Sequence, residues 1–346
     1  MKSLQDNFPF VSIVIPCRNE EKFIGKCLES ILNQDYPKEK MEVLVVDGMS
    51  EDKTREIIED FRSKNVNLKI KLIDNPKKFT PFAFNIGIRK AKGELIMLAG
   101  AHATYEKDYI SKCVRYLKEY NADCVGGVLK TIPTENTLIT KAIAISLSHP
   151  FGAGTSYFRI GSKEPKEVDT VFGGCYKREV FEKIGLFNEN LLRSQDMEFN
   201  LRLKKVGGKI LLFPDIVAYY YPQSNLKDFF LHNFKDGIWA ILPSKFVKTP
   251  FKLRHYIPLI FVLSLFGSGI LGIFFSPFFL LFAFIFGLYI LVNFYFSAKI
   301  SIKEKNWRYF FVMPIIFASR HFGYGLGSII GLIKICFQKI SKHDRY

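Results

Sequence analysis

Two short apolar runs, 11–17 and 41–47, are rich in β-branched residues and stop about 30 residues apart on abrupt polar switches, VSIVIPCRNEE and MEVLVVDGMSEDKT. Apolar residues at helical spacing follow each run: Phe23/Ile24, Cys27/Leu28 and Ile31/Leu32 after the first, Ile57/Ile58 and Phe61 after the second. A strand that is apolar throughout is buried on both faces, so strand–helix–strand–helix order implies a parallel, doubly wound sheet. Such sheets bind ligands at the carboxyl ends of their strands, and Asn19, Glu20 and Asp47 fall there. A carboxylate at that edge accepts bonds from the N–H groups of a base or from ribose hydroxyls. Asn and Asp are also common turn and cap residues, and these two segments alone leave both readings open.

Further strand-like runs occupy 68–73, 95–98 and 124–128, with helical stretches near 81–90 and 107–120. The region 129–170 is less regular: 139–147 reads as a helix and 152–168 as a loop. A clearer block returns over 171–215, and from Leu226 to Leu242 apolar residues recur at helical spacing with lysines between them. Six cysteines (17, 27, 113, 124, 175 and 336) make no CxxC or other metal spacing and are expected as reduced thiols.

Charge decides between two classes of partner. The chain of 346 residues carries +16, and the segment from Gln223 onward holds 15 Lys and Arg against 4 Asp and Glu, leaving only +5 to the first 222 residues. That basic excess flanks a stretch from Tyr256 to Ala298 without a single Asp, Glu, Lys or Arg. A helical span needs about 20 apolar residues, so two crossings are expected, at about 257–275 and 278–297, reversing at Ser276–Pro277. Lys245, Lys248, Lys252 and Arg254 before the pair, and Lys299, Lys303, Lys305 and Arg308 after it, place both ends in the cytoplasm. No signal peptide precedes Phe8, which agrees with a cytoplasmic catalytic domain. Basic residues beside membrane spans point to membrane lipids as partners and away from nucleic acid.

The last apolar segment, about 309–333, carries Arg320 and His321 at its middle and Gly323, Gly327 and Gly331 at four-residue intervals. Lys334, Lys339, Lys342 and Arg345 follow it, and its topology stays open. The glycines read as a close-packing stripe. An ionisable pair at membrane depth reads as a contact to a lipid phosphate or anionic partner.

Taken together, VSIVIPCRNEE, VVDGMSEDKT, the run from Asp74 to Glu94, LAGAHATY, FGGCYKREVFEKIGLFNE and SQDMEFNLRLKKVGGK resemble family 2 glycosyltransferases, inverting nucleotide-sugar enzymes of the GT-A fold. The motifs stand in the family's order over roughly residues 10–222. The Asp-Gly-x-Ser form, Ala101–His102–Ala103 and the HFGYGLGSIIG run look like the membrane-associated succinoglycan-biosynthesis branch.

The resemblance implies a fold class of mixed α/β with helices on both sheet faces, plus a C-terminal α-helical membrane region. Its expected parts are a catalytic domain over 1–222, amphipathic interfacial helices over 223–254 and a membrane region over 255–346. It implies that Pro16, Asn19, Glu20 and Asp47 lie along the nucleotide, that Asn85 and Gly93 shape the donor pocket, and that Gly173 and Gly174 form the acceptor-side loop. Asp196 matches the general base, and Arg202 a family arginine six residues later. Asp196 also sits where a helix N-terminus favours an acid, and the two roles are compatible. At the position of the family's Asp-x-Asp, whose carboxylates bind Mg²⁺ or Mn²⁺, this chain reads Gly100-Ala101-His102. Three readings follow: His102 as the sole protein ligand of a divalent cation, Arg or Lys side chains such as Lys235 neutralising the diphosphate, or a histidine with no ligand role.

The expected activity is transfer of a hexose from a nucleotide sugar, UDP-linked, to a lipid-linked saccharide in surface polysaccharide or glycan assembly. The alternative is a non-catalytic, nucleotide-sugar-binding scaffold, suggested by the missing carboxylate at Gly100. A nucleotidyltransferase lacks support because no Gly-rich phosphate loop bearing Arg or Lys stands near the N-terminus.

Overall fold

The computed structural model describes residues 8–245 and 253–337. Lys248, Lys252, Lys339, Lys342 and Arg345, used in the charge argument, lie outside the described residues. The chain divides into two compact units: Met1–Lys130 with Tyr157–Tyr220, and Thr131–Ser156 with Tyr221–Tyr346.

The first unit runs β1 (Val11–Cys17), α1 (Ile24–Leu32), β2 (Met41–Asp47), α2 (Thr54–Lys64), β3 (Lys69–Asp74), α3 (Thr80–Lys90), β4 (Leu95–Leu98), β5 (Ala103–Tyr105), α4 (Tyr109–Glu119) and β6 (Cys124–Thr131). The chain then supplies α5 (Leu138–Ser148) and α6 (Pro150–Ala153) to the second unit. It returns as α7 (Tyr157–Ile160), β7 (Lys166–Glu167), β8 (Phe172–Lys177), α8 (Arg178–Ile184), α9 (Gln195–Lys205) and β9 (Ile210–Tyr220).

Among the described residues the strands form one sheet in the order β3-β2-β1-β4-β8-β6-β9-β5, with β7 on β9. The run β3-β2-β1-β4 is parallel, as the apolar patterning of β1 and β2 requires, while β8 lies antiparallel to β4 and β6. The sheet is therefore mixed, and its parallel half carries the strand ends that the sequence singled out. All seven residues of β2 are buried, including Glu42. That carboxylate is satisfied by the Ser12 hydroxyl at 2.8 Å, the Lys92 N–H at 2.7 Å and the Lys71 ammonium at 3.1 Å. A buried charge persists only with such partners.

The second unit adds α10 (Leu226–Ile241), α11 (Ile257–Gly272), α12 (Ser276–Lys303) and α13 (Arg308–Phe337) to α5 and α6. Helix α10 packs along α13 through the glycine stripe. A Cβ on Gly237 would lie 2.0 Å from the Tyr324 carbonyl oxygen, and one on Gly327 would lie 2.0 Å from that of Phe234. Only glycine admits that approach. Phe229, Asn233, Gly237, Ala240 and Ile241 of α10 are accordingly buried.

One described helix, α12, is long and apolar enough to cross a membrane by length and composition. The first expected span differs: α11 has 16 residues, short of the roughly 20 a crossing needs, because the helix stops at Gly272 and Phe275 is extended before α12. Both helices turn large apolar side chains outward, among them Ile260, Phe266, Leu280, Phe284 and Leu291.

Candidate active site

The loops after β1, β2 and β3 are tied together at the carboxyl edge of the sheet. Asn19, Met49 and Lys78, one in each loop, adopt left-handed backbone with φ of 55°, 58° and 66°. Such strained residues persist only where their surroundings hold them. The Asn19 N–H donates to Ser50 Oγ at 2.9 Å, and Asn19 Oδ1 accepts the Glu51 N–H at 3.0 Å. The Glu20 N–H donates to Thr54 Oγ1 at 2.7 Å.

Asp47 is the hub of this network. Its side chain is fully buried, and it accepts from the Ser50 N–H at 3.0 Å, the Ser50 hydroxyl, the Arg55 guanidinium at 2.7 Å and the Cys17 thiol at 3.7 Å. Burial first, then the Asp47 carboxylate, pushes the Cys17 thiol up, so it remains a protonated donor. Those four donors match the lone-pair capacity of a carboxylate. The geometry accordingly makes Asp47 the organiser of the loop, whereas the resemblance implied a group that holds the base. Pro16 stands next to last in β1 and continues the same edge.

Glu20 reaches the turn after β4: its Oε1 lies 3.1 Å from His102 Nδ1. A neutral imidazole that donates from Nδ1 keeps a lone pair on Nε2. The His102 side chain is 41% exposed, and its ring meets the Tyr220 ring edge-on at 5.3 Å. Gly100, two residues earlier, faces Phe172: a Cβ there would lie 3.2 Å from the Phe172 ring tip. The ring stands against the place where a carboxylate side chain would begin. Among the described residues no group of three or more His, Cys, Asp or Glu side chains is arranged to hold a metal ion. One imidazole with the single Glu20 carboxylate on its Nδ1 side does not make a protein-held Mg²⁺ or Mn²⁺ centre, so the residues do not fit the cation that the family pattern implied.

Gly173 and Gly174 lie on β8 near this turn. Gly173 has φ 61°, and a Cβ on it would lie 2.5 Å from the Tyr109 hydroxyl oxygen. That hydroxyl shares its proton between the carbonyls of Phe172 at 3.0 Å and Gly173 at 3.1 Å. Asp196 is the second residue of α9, exposed, following Ser194 in left-handed backbone. It interacts electrostatically with Tyr176, whose hydroxyl is held well above its usual range, mainly by burial. That hydroxyl donates to Asn200 Oδ1 at 2.9 Å. Arg202 on the same helix grips Glu198 at 2.7 Å and 3.1 Å and donates to the carbonyls of Ile184 and Leu186, a bracing role.

The two residues that the resemblance assigns to the donor pocket both make structural contacts. Gly93 lies at the opposite edge, where the parallel strands begin. A Cβ on it would come within 2.5–2.7 Å of Ser12 N, Leu95 O and Phe10 O, so glycine is required for strand packing. Asn85 is a buried staple: its amide exchanges bonds with Phe187 N–H and C=O at 2.9 Å and 3.0 Å and donates to Glu189 at 2.9 Å. Arg320 and His321 belong to the second unit, where they bond the carbonyls of Gly152 and Phe151, and Arg320 also bonds Asn233 Oδ1 at 3.0 Å. Lys235 lies on α10, also in the second unit.

Sequence reasoning missed Arg55 and Arg159. Arg159, on α7, places its guanidinium 5.3 Å from the Tyr220 ring. Neither arginine belongs to a motif, and only the fold brings them to this edge.

A family model described as glycosyl transferase family 2 matches residues 12–185, half of the chain. The chain belongs to glycosyl transferase family 2. Over 331 residues this family 2 enzyme is 33% identical to the dolichyl N-acetyl-alpha-D-glucosaminyl phosphate 3-beta-D-2,3-diacetamido-2,3-dideoxy-beta-D-glucuronosyltransferase of Methanococcus voltae, covering 94% of this chain and 98% of the relative. It is 28% identical to succinoglycan biosynthesis protein ExoA of Rhizobium meliloti, over 65% of this chain and 67% of that one. The mannosyltransferase PcManGT of Pyrobaculum calidifontis, solved with GDP-Man and Mn²⁺, shares the fold with a TM-score of 0.59 at 18% identity, covering 94% of this chain and 87% of that one. The molecule is thus a glycosyltransferase of the GT-A fold, and the scaffold alternative is set aside.

Proposed function

We propose that this glycosyltransferase moves a hexose, with inversion, from a nucleotide sugar, UDP-linked, to a lipid-linked saccharide. It would work from the cytoplasmic side of a membrane that its second unit enters. The observation that carries the reading is the end-to-end similarity to the Methanococcus voltae enzyme, named for a dolichyl-linked sugar phosphate. The outward apolar surface of α11 and α12 supports the membrane part.

In the transfer, the acceptor hydroxyl oxygen attacks the anomeric carbon from the face opposite the diphosphate. The bond from that carbon to the diphosphate oxygen breaks, and its electron pair leaves with the nucleoside diphosphate. Asp196 takes the acceptor proton, for which its exposed carboxylate at the start of α9 is suited. Asn19, Glu20 and the loop organised by Asp47 line the nucleotide, while Gly173 and Gly174 let backbone approach the sugars.

The test is transfer by the detergent-purified full chain, with a panel of nucleotide sugars and a polyprenyl-phosphate-linked saccharide. The product's mass and anomeric configuration are the readouts. Turnover of one donor with inverted configuration is expected. Retained configuration, or transfer that ignores the lipid-linked acceptor in favour of free sugars, defeats the reading.

A further inference from the structure

We propose that Arg159 is a catalytic residue that binds the leaving diphosphate, taking the charge that the Gly100 position leaves without a carboxylate-held cation. This inference rests on the donor reading above. Arg159 Cζ lies 5.3 Å from the Tyr220 ring and 5.4 Å from the Phe158 ring. Its Nη1 is buried and has no hydrogen-bond partner, and among the described residues the guanidinium makes no ion pair. A buried N–H without an acceptor is unfavourable, so a ligand that supplies the acceptor recovers that cost on binding.

The position fits an anion. Tyr220 touches both Arg159 and His102 at 5.3 Å, so the two basic groups are at most twice that distance apart. His102 follows β4 and is held by Glu20, at the turn where the family pattern carries the diphosphate-binding acids. A guanidinium offers parallel N–H donors that match phosphate oxygens in a bidentate fork. The Tyr220 and Phe158 rings lie within cation–π reach of it. As the bond to the anomeric carbon breaks, its electron pair accumulates on the diphosphate, and Arg159 donates to those oxygens. Pre-placed donors of this kind accelerate a reaction because they need not reorganise when charge appears.

The experiment uses the full chain in detergent, wild type and the variants Arg159→Lys and Arg159→Ala. Thermal unfolding, affinity for UDP and GDP by calorimetry in EDTA, and kcat with the active donor are measured. Unfolding should be unchanged, nucleoside diphosphate affinity should fall about tenfold, and kcat should fall about 100-fold. Guanidinium ion at millimolar concentration should restore part of the kcat of Arg159→Ala, which a purely packing role does not allow. Affinity and kcat equal to wild type in both variants overturn the proposal. So does a wild type whose affinity and activity vanish in EDTA and return with Mn²⁺. A wild type that binds neither UDP nor GDP instead overturns the donor reading, and this inference falls with it.

Discussion

Arg55 Nη1 lies 2.7 Å from Asp47 Oδ2, and the same nitrogen lies 2.8 Å from Asp74 Oδ1. One guanidinium on α2 thus joins the carboxyl ends of two neighbouring strands, whose register pairs Asp47 with Asp74. Asp47 is fully buried, while Arg55 is 38% exposed and Asp74 58%. The pair is therefore no ordinary surface ion pair: it keeps a buried carboxylate satisfied beside the loop that carries Ser50.

Replacing Arg55 with Met should lower stability by about 2 kcal/mol, the scale of one hydrogen bond to a charged group, since Ser50 and Cys17 keep their bonds to Asp47. Because Ser50 also receives the Asn19 N–H, UDP affinity should fall with it. Urea unfolding and calorimetry check both. A variant as stable as wild type would show that Asp47 does not depend on Arg55.

Asp196→Asn should lower kcat by about 100-fold to 10,000-fold, because a carboxamide does not accept the acceptor proton. UDP affinity should be retained. The charge also sits at the start of α9, so a stability loss of about 0.5 kcal/mol is expected from the helix dipole. Steady-state kinetics beside calorimetry separate the effects, and unaltered kcat removes Asp196 from the chemistry.

Glu20→Gln should leave the fold intact, since the bond of Glu20 to Thr54 runs through its backbone N–H. The His102 ring then loses its carboxylate partner, and the tautomer that this partner selects should shift. Nitrogen-15 spectra of His102 should show a changed proportion of the Nδ1–H form. An unchanged spectrum means that Glu20 does not set the tautomer.

The parallel half of the sheet was legible because buried strands and amphipathic helices leave opposite periodicities, and 95–98 and 81–90 were placed within a residue or so. The antiparallel half was less so: its pairings join segments far apart in sequence, with no local signature. Motif positions located the edge but not what each side chain does there. Asp47, Asn85 and Gly93 all stand in family motifs, yet the first organises a loop and the other two fasten packing. Arg159 was invisible for the reverse reason, being isolated in the irregular stretch before β8.

Glu42 gives the fold a predictable acid limb. Burial by itself raises its carboxyl, but the Ser12 hydroxyl, the Lys92 N–H and the Lys71 ammonium outweigh burial and hold it below the ordinary carboxylate value. A depressed folded pKa contributes stability that is present above the unfolded value and is lost as pH falls through the folded one. Wild type should therefore lose stability as pH falls through the window below the ordinary glutamate value of 4.5, and Glu42→Gln should lose less over that window. Unfolding midpoints across the window decide it, and parallel curves for the two proteins refute the assignment.

The contact between α10 and α13 separates glycines that are required from those that are not. At Gly327 an added Cβ would lie 2.0 Å from the Phe234 carbonyl oxygen, so Gly327→Ala forces two helix backbones apart. Overpacking of that kind costs about 1–3 kcal/mol. At Gly287, inside α12, an added Cβ meets nothing within 4 Å. There Gly→Ala removes only the helix penalty of glycine, so the variant should be equal to wild type or up to about 1 kcal/mol more stable. Thermal unfolding of both variants in the same detergent gives the comparison. Equal losses at the two positions would mean that the glycine stripe does not set the approach of α10 to α13, whereas loss at Gly327 alone ties the second unit's stability to that contact.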